Sequence, residues 1–227
     1  MNEINNHSEI NSFFESYIDW ITELFPELPE GHLMKGSEAD KLIEHEYAIF
    51  KSDMLSDDIL KLSDNPDIPK YYLEFLSEYS YRNLEVPLFS FPSTHLEVPL
   101  FSFPSTHPED GLREIKSDIG RYIEYGLVPF VYDKSGTGYY CIDLRQEEAV
   151  VFYKNDERPS LTVRNKKLAS SFLSVLIFLK EYLDWGGNIS GLDDEYKPEA
   201  LAELKGIDSQ IGTVWEDWWL PRLLFNA

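Results

Sequence analysis

Two aspartates, Asp133 and Asp143, stand where this chain could do acid–base work: one closes a β-rich run and the other lies inside the next. A pair of carboxylates flanking a scissile bond can protonate a leaving group and activate water, the chemistry of a carboxylate-dependent hydrolase. The structural alternative is simpler. Asp133 closes a hairpin loop, Asp143 pairs across the sheet with a neighbour, and no further partner stands at workable spacing. Other patterns fail sooner. His45-Glu46 has no second His three residues on, so there is no zincin helix. No Ser lies in a Gly-x-Ser-x-Gly elbow. Gly136-Thr137-Gly138 lacks the third Gly and the Lys of a phosphate-cradling loop. Cys141 has no flanking cation to make it a nucleophile, and as the single cysteine it reads as a small buried hydrophobe. His95 and His107 bring no carboxylate or Cys at ligand spacing. The expectation is a chain with no catalytic residue, no metal and no cofactor, with the acid-dependent hydrolase kept as an alternative.

Binding chemistry is better supplied. Forty-one acidic residues face twenty basic ones, for a formal charge of −21. Residues 1–60 hold fourteen of the acids against three lysines. Such a field repels nucleic acid and anionic lipid, and it speeds encounter with a basic protein. The carboxylates placed to meet such a partner are Asp133, Glu147 and Glu148 at the ends of the β-rich runs. A second acidic cluster follows at Asp193, Asp194 and Glu195. Trp215, Trp218 and Trp219 offer either an aromatic recognition patch or a means of docking the tail; their helical spacing favours docking.

These residues need a scaffold, and the stretch Leu127–Tyr153 announces one. Three runs rich in β-branched and aromatic residues are separated by short Gly-rich or charged loops, the pattern of an antiparallel meander. In the second run Tyr140, Ile142 and Leu144 share one face, and Tyr139, Cys141 and Asp143 the other. The remainder is helical by pattern. Residues 9–25 carry Ile10, Phe13, Phe14, Tyr17, Ile18, Ile21 and Leu24 at steps of three and four. A second helix is expected from the Ser37–Asp40 cap to about Phe50, and a short third after Ser56-Asp57-Asp58. Pro69 opens another, with Tyr72, Phe75, Leu76 and Tyr79 on one face. A further stripe at 109–125 ends at Gly126. The most apolar helix is expected over Lys166–Trp185, capped by Asn165. A short one follows over Pro198–Lys205.

Residues 84–95 and 96–107 are identical copies of one dodecapeptide. Each alternates like a strand, but its proline confines it to an edge or an extended loop. One copy is expected to serve the fold and the other to be a tolerated surface insertion. The length suits a single domain over 1–227, with a core about 65–183, an N-terminal helical region over 9–60 and a C-terminal extension over 187–227. No apolar run reaches membrane-spanning length and no secretory leader is visible, so the expected location is the cytoplasm.

The order of these pieces resembles the SUKH superfamily, which groups fungal cell-wall-assembly regulators of SMI/KNR type with bacterial toxin-immunity proteins. Gly126-Leu-Val-Pro-Phe-Val-Tyr-Asp-Lys-Ser-Gly-Thr-Gly-Tyr-Tyr-Cys-Ile-Asp-Leu is similar to its central motif. Ile68-Pro-Lys-Tyr-Tyr-Leu-Glu-Phe-Leu resembles its upstream element, and Leu168-Ala-Ser-Ser-Phe-Leu-Ser-Val-Leu its closing helix. The resemblance covers about residues 65–183. It departs at Tyr79-Ser80-Tyr81, where the family carries Asn-Gly. It implies an α+β fold: a central antiparallel or mixed sheet flanked by helices, here with extra N-terminal and C-terminal helical segments. It also implies no enzymatic activity. The expected function is an immunity protein that neutralises a cognate basic toxin domain such as a nuclease. The alternative is a regulatory scaffold with several partners.

Overall fold

The structure is a computed structural model that describes residues 6–24, 33–34, 49–51, 64–81, 84–90, 97–103, 120–133, 138–154 and 160–225. Helix α1 (Asn6–Leu24) forms where the apolar stripe predicts it and buries Ile10, Phe13, Phe14, Tyr17 and Ile21. Its Phe14 ring stacks on Phe75 at 5.3 Å, which seats α1 on helix α2 (Lys70–Glu78). Pro69 caps α2 as expected, with Tyr72, Phe75 and Leu76 turned inward. Tyr79 is also buried, but in strand β3 (Tyr79–Tyr81). Strand β3 joins β1 (Leu33–Met34) and β2 (Ile49–Lys51) in a small sheet of order β1-β2-β3. The helix expected to run to Phe50 is therefore corrected at its end, where Ile49–Lys51 pair with Tyr79–Tyr81.

The larger sheet has six strands in sequence order: β4 (Leu84–Ser90), β5 (Glu97–Phe103), β6 (Leu127–Asp133), β7 (Gly138–Asp143), β8 (Ala149–Lys154) and β9 (Lys167–Ala169). Every neighbouring pair is antiparallel. The meander seen in the sequence is its β6–β8 centre, with Tyr140 opposite Phe152 and Cys141 opposite Val151. Both dodecapeptide copies belong to this sheet: the first supplies β4 and the second β5. That corrects the expectation of a surface insertion. Leu84 and Val86 of the first copy and Phe103 of the second are all buried, so neither copy is spare. His95, His107, the expected short helix after Ser56 and most of the 109–125 stripe lie outside the described residues. The end of that stripe is a short helix and a 3₁₀ turn (Ile123–Tyr125), capped by Gly126 at φ 70, the left-handed conformation glycine adopts without strain.

Helix α3 (Phe172–Asp184) starts six residues later than Lys166. Lys167–Ala169 pair with Val150 and Val151 as β9 instead, and Ser171 caps the helix by accepting from the Ser174 amide at 3.1 Å. The chain then makes a 3₁₀ turn (Ile189–Gly191), helices α4 (Lys197–Gly206) and α5 (Ser209–Thr213), one π-helical turn (Trp215–Trp219) and helix α6 (Leu220–Phe225). One hydrophobic core draws on residues from Ile10 to Leu223, uniting α1, α2, α3, the tail and one face of the sheet. A smaller cluster of Tyr122, Leu127, Cys141, Val151 and Tyr153 covers the other face. Gly187, at φ 69, is a close approach: a Cβ there would lie 2.8 Å from Trp20 Nε1. The Trp20 indole donates to the Gly186 carbonyl and ties α1 to the end of α3. The fold is α+β with terminal helices. Among the described residues, no helix is long and apolar enough to cross a membrane.

Candidate functional site

Asp143 ends β7 opposite Leu127, on the face of the smaller cluster, with no exposed surface. A carboxylate there must be satisfied locally or it would destabilise the sheet. The satisfaction comes from two residues of the β7–β8 loop, which corrects the cross-sheet pairing expected for it. Arg145 folds back and donates from Nε to Oδ1 and from Nη2 to Oδ2, both at 2.8 Å. Gln146 adds a bond from Nε2 to Oδ2 at 2.9 Å, and the Arg145 amide reaches Oδ1 at 3.0 Å. Burial pushes the Asp143 carboxyl up, and these four donors reverse that and hold it below the ordinary aspartate value. An anion so occupied is a brace and a poor proton donor.

The brace extends outward. Arg145 donates from Nη1 to the Ser160 carbonyl, and Gln146 donates from Nε2 to the Asn165 carbonyl at 3.2 Å. The loop leading into β9 is thus fastened to the β7–β8 loop. Within the latter, the amides of Gln146 and Glu148 both donate to the Asp143 carbonyl, at 3.0 and 3.1 Å. This closure leaves Glu147 and Glu148 in the left-handed region, at φ 58 and 60. Each such residue costs about 1 kcal/mol for a side chain with a Cβ, and two in succession persist only because their surroundings fix them. The Glu147 side chain is 95% exposed, with the Lys167 ammonium 3.7 Å away. Glu148 lies beside Tyr71, whose hydroxyl is pushed well above the tyrosine range, first by burial and then by the Glu148 carboxylate.

The six acids named from the sequence occupy three places. Glu147 and Glu148 share the β7–β8 tip. Asp133 ends β6, paired with Phe101, at the opposite end of the strand from Leu127. Those ends are six residue steps apart, about 20 Å, so Asp133 and Asp143 cannot act together on one bond. Asp193, Asp194 and Glu195 are exposed just past the 3₁₀ turn that follows α3. Tyr71, beside Glu148, stacks on Phe172 at the first residue of α3. The tip thus lies by the start of that helix, and the second acidic group follows the turn after its end. Asp194 meets Lys197 at 3.5 Å.

The tryptophans divide. Trp215 and Trp219 are buried, and Trp219 donates from Nε1 to the Leu168 carbonyl at 3.0 Å, docking the tail on β9. Trp218 sits nearer the surface against Phe152, with the Arg222 guanidinium 3.7 Å from its ring centroid. Asp208, a second buried acid, escaped notice in the sequence. It accepts from the Ser170 amide and hydroxyl at 2.9 Å and caps α5 through the Gln210 amide at 2.6 Å. Arg145, Gln146, Leu161 and Val163 were missed too. The signal for the first two was available: an Asp at a strand end followed by donors two and three residues on makes an Asx turn. Leu161 and Val163 gave none, because an aliphatic residue in a polar segment reads the same buried or exposed. Compared with protein-family models, with curated proteins and with solved structures, the chain matches nothing.

Proposed function

We propose that this chain is a non-enzymatic protein-binding module of the SUKH immunity type, which neutralises a basic toxin domain by pressing the Glu147–Glu148 tip against its cationic surface. One observation carries the reading: two adjacent glutamates are held in a strained left-handed conformation, on a loop braced through Asp143 and Arg145, with the Glu147 carboxylate in solvent. Backbone strain of this kind gathers where a side chain must be presented in one orientation. The net charge of −21 supplies long-range attraction to a basic partner and repels nucleic acid. The order of the upstream proline helix, the meander and the closing helix supports the family assignment. A toxin acting on a cellular nuclease substrate would be met in the cytoplasm. The module needs no cofactor.

The test is co-expression with basic nuclease toxin domains, the class of partner that this reading names. Rescue of growth and a stoichiometric complex are expected. Reversing charge at Glu147→Lys and Glu148→Lys is expected to slow association roughly tenfold at low salt and to flatten its salt dependence. Absence of both rescue and complex overturns the reading. An unchanged association rate removes the tip from the interface.

A further inference from the structure

The three large hydrophobic side chains most exposed among the described residues are Leu161 at 62%, Val163 at 59% and Tyr196 at 48%. All three stand next to the acidic groups: Tyr196 follows Glu195 directly, and Leu161 and Val163 lie on the loop fastened to the Glu147–Glu148 tip. That loop is held in one shape. The Ser160 hydroxyl accepts from the Thr162 and Val163 amides, at 3.3 and 3.4 Å, and the Ser160 carbonyl is taken by Arg145. The Asn165 side-chain amide donates to the Phe152 carbonyl at 2.7 Å, which pins the far end of the loop to β8. Two aliphatic side chains are therefore fixed in water by a polar framework, where a slack loop could have turned them inward.

Two described cations beside the loop meet acids: Lys166 meets Asp217 at 3.0 Å, and Lys167 meets Glu147 at 3.7 Å. Arg164 donates from Nη1 to the Leu161 carbonyl at 2.7 Å, a neutral acceptor that holds the side chain against the loop and leaves its charge in place. Binding energy in protein interfaces concentrates in a few apolar anchors that sink into the partner, while the surrounding charges set rate and register.

We infer that Leu161 and Val163 are the apolar anchors of the same interface, and that the partner is a basic protein with an apolar depression beside a cluster of Lys or Arg side chains that receives Glu147 and Glu148. The inference rests on the tip being the binding site. Acid and anchor would then divide the work: the glutamates govern how fast the complex forms, and the aliphatics govern how long it lasts.

The experiment measures association and dissociation rates of the full chain with a basic nuclease toxin domain whose catalytic residues are replaced. Leu161→Ser with Val163→Ser is compared with Glu147→Lys plus Glu148→Lys. Both anchors are solvent-exposed, so the serine variant keeps the parent melting temperature, which is checked first. The expected result is at least about a 30-fold rise in Kd for the serine variant, carried by faster dissociation with an association rate within about twofold of the parent. A Kd within about threefold of the parent, while the lysine variant still slows association, overturns the anchors and leaves the tip intact. Absence of any complex with the parent chain overturns the tip and the anchors together.

Discussion

Pro87 faces Pro99, its own counterpart in the second copy of the dodecapeptide, across the β4–β5 pair. Neither residue has an N–H to give, so the ladder cannot run through that point, and the register slips there before resuming. On either side the pattern is self-complementary. Val86 meets Phe101 before the slip and Phe89 meets Val98 after it. A sequence that pairs with its own copy in this way turns one strand into a two-strand hairpin by duplication alone.

Removing twelve residues yields the same chain whichever copy is cut, and the remaining copy can fill only one of the two strand positions. The loss exposes the sites of Leu84 and Val86, or of Phe103, to solvent or leaves them empty. The deletion is expected to lower unfolding free energy by about 4 kcal/mol or more, read from the urea midpoint. An unchanged midpoint would show that one copy is dispensable.

Replacing Asp143 with Ala leaves the Arg145 guanidinium, itself 12% exposed, without its counter-charge. A cost of about 3 to 5 kcal/mol is expected, and Asp143→Leu with Arg145→Met together should recover most of it. The same pair sets an acid limb. The carboxyls of Asp143 and Asp208 are both lowered in the folded protein, so the unfolded chain binds more protons as pH falls. Their stabilisation is complete above the unfolded aspartate value near 4 and drains away as pH drops through that value towards the folded one. Melting temperatures between pH 7 and pH 3 should fall less steeply in Asp143→Asn than in the parent. Parallel curves would remove Asp143 from the acid transition.

Glu147→Gly should raise stability by about 0.5 to 1 kcal/mol, because glycine adopts φ near 58 without the Cβ penalty and gives up only a weak exposed ion pair. The same variant should associate more slowly with a basic partner. A gain in melting temperature together with a loss in association rate is the expected signature of strain kept for binding. A loss of stability would show that the left-handed turn is not strained.

Trp219→Ala removes a fully buried indole and its bond to the Leu168 carbonyl, and should cost about 3 to 5 kcal/mol. Trp218→Ala gives up a partly exposed ring and its contact with Arg222, for about 1 kcal/mol. Chemical denaturation separates them. Equal costs would mean that the tail does not dock through Trp219.

Local pattern made α1, the opening of α2 at Pro69 and the β6–β8 meander readable. In each, the apolar spacing and the stop residue agree, and each makes most of its own hydrogen bonds or pairs with its sequence neighbour. The acids of the candidate site could be named but not placed. A −21 chain offers many carboxylates, and nothing in their spacing says that Glu147 closes the β7–β8 loop in a left-handed turn while Asp194 lies past the 3₁₀ turn after α3.

What the amino-acid order settled by itself was the set of amphipathic segments and the faces they bury, since side-chain periodicity and turn chemistry act over a few residues. What tertiary structure settled was every choice between two locally acceptable answers. Lys167-Leu168-Ala169 is good helical sequence behind a good cap at Asn165. It is a strand because Val150 and Val151 hold an open ladder edge that must be paired, and Ser171 caps the helix instead. Asp143 could have been an acid in waiting, and it is an anchor because Arg145 returns to it from the loop. Long-range hydrogen bonds and burial supply the free energy that decides such ties, and they exist only once the chain has closed on itself.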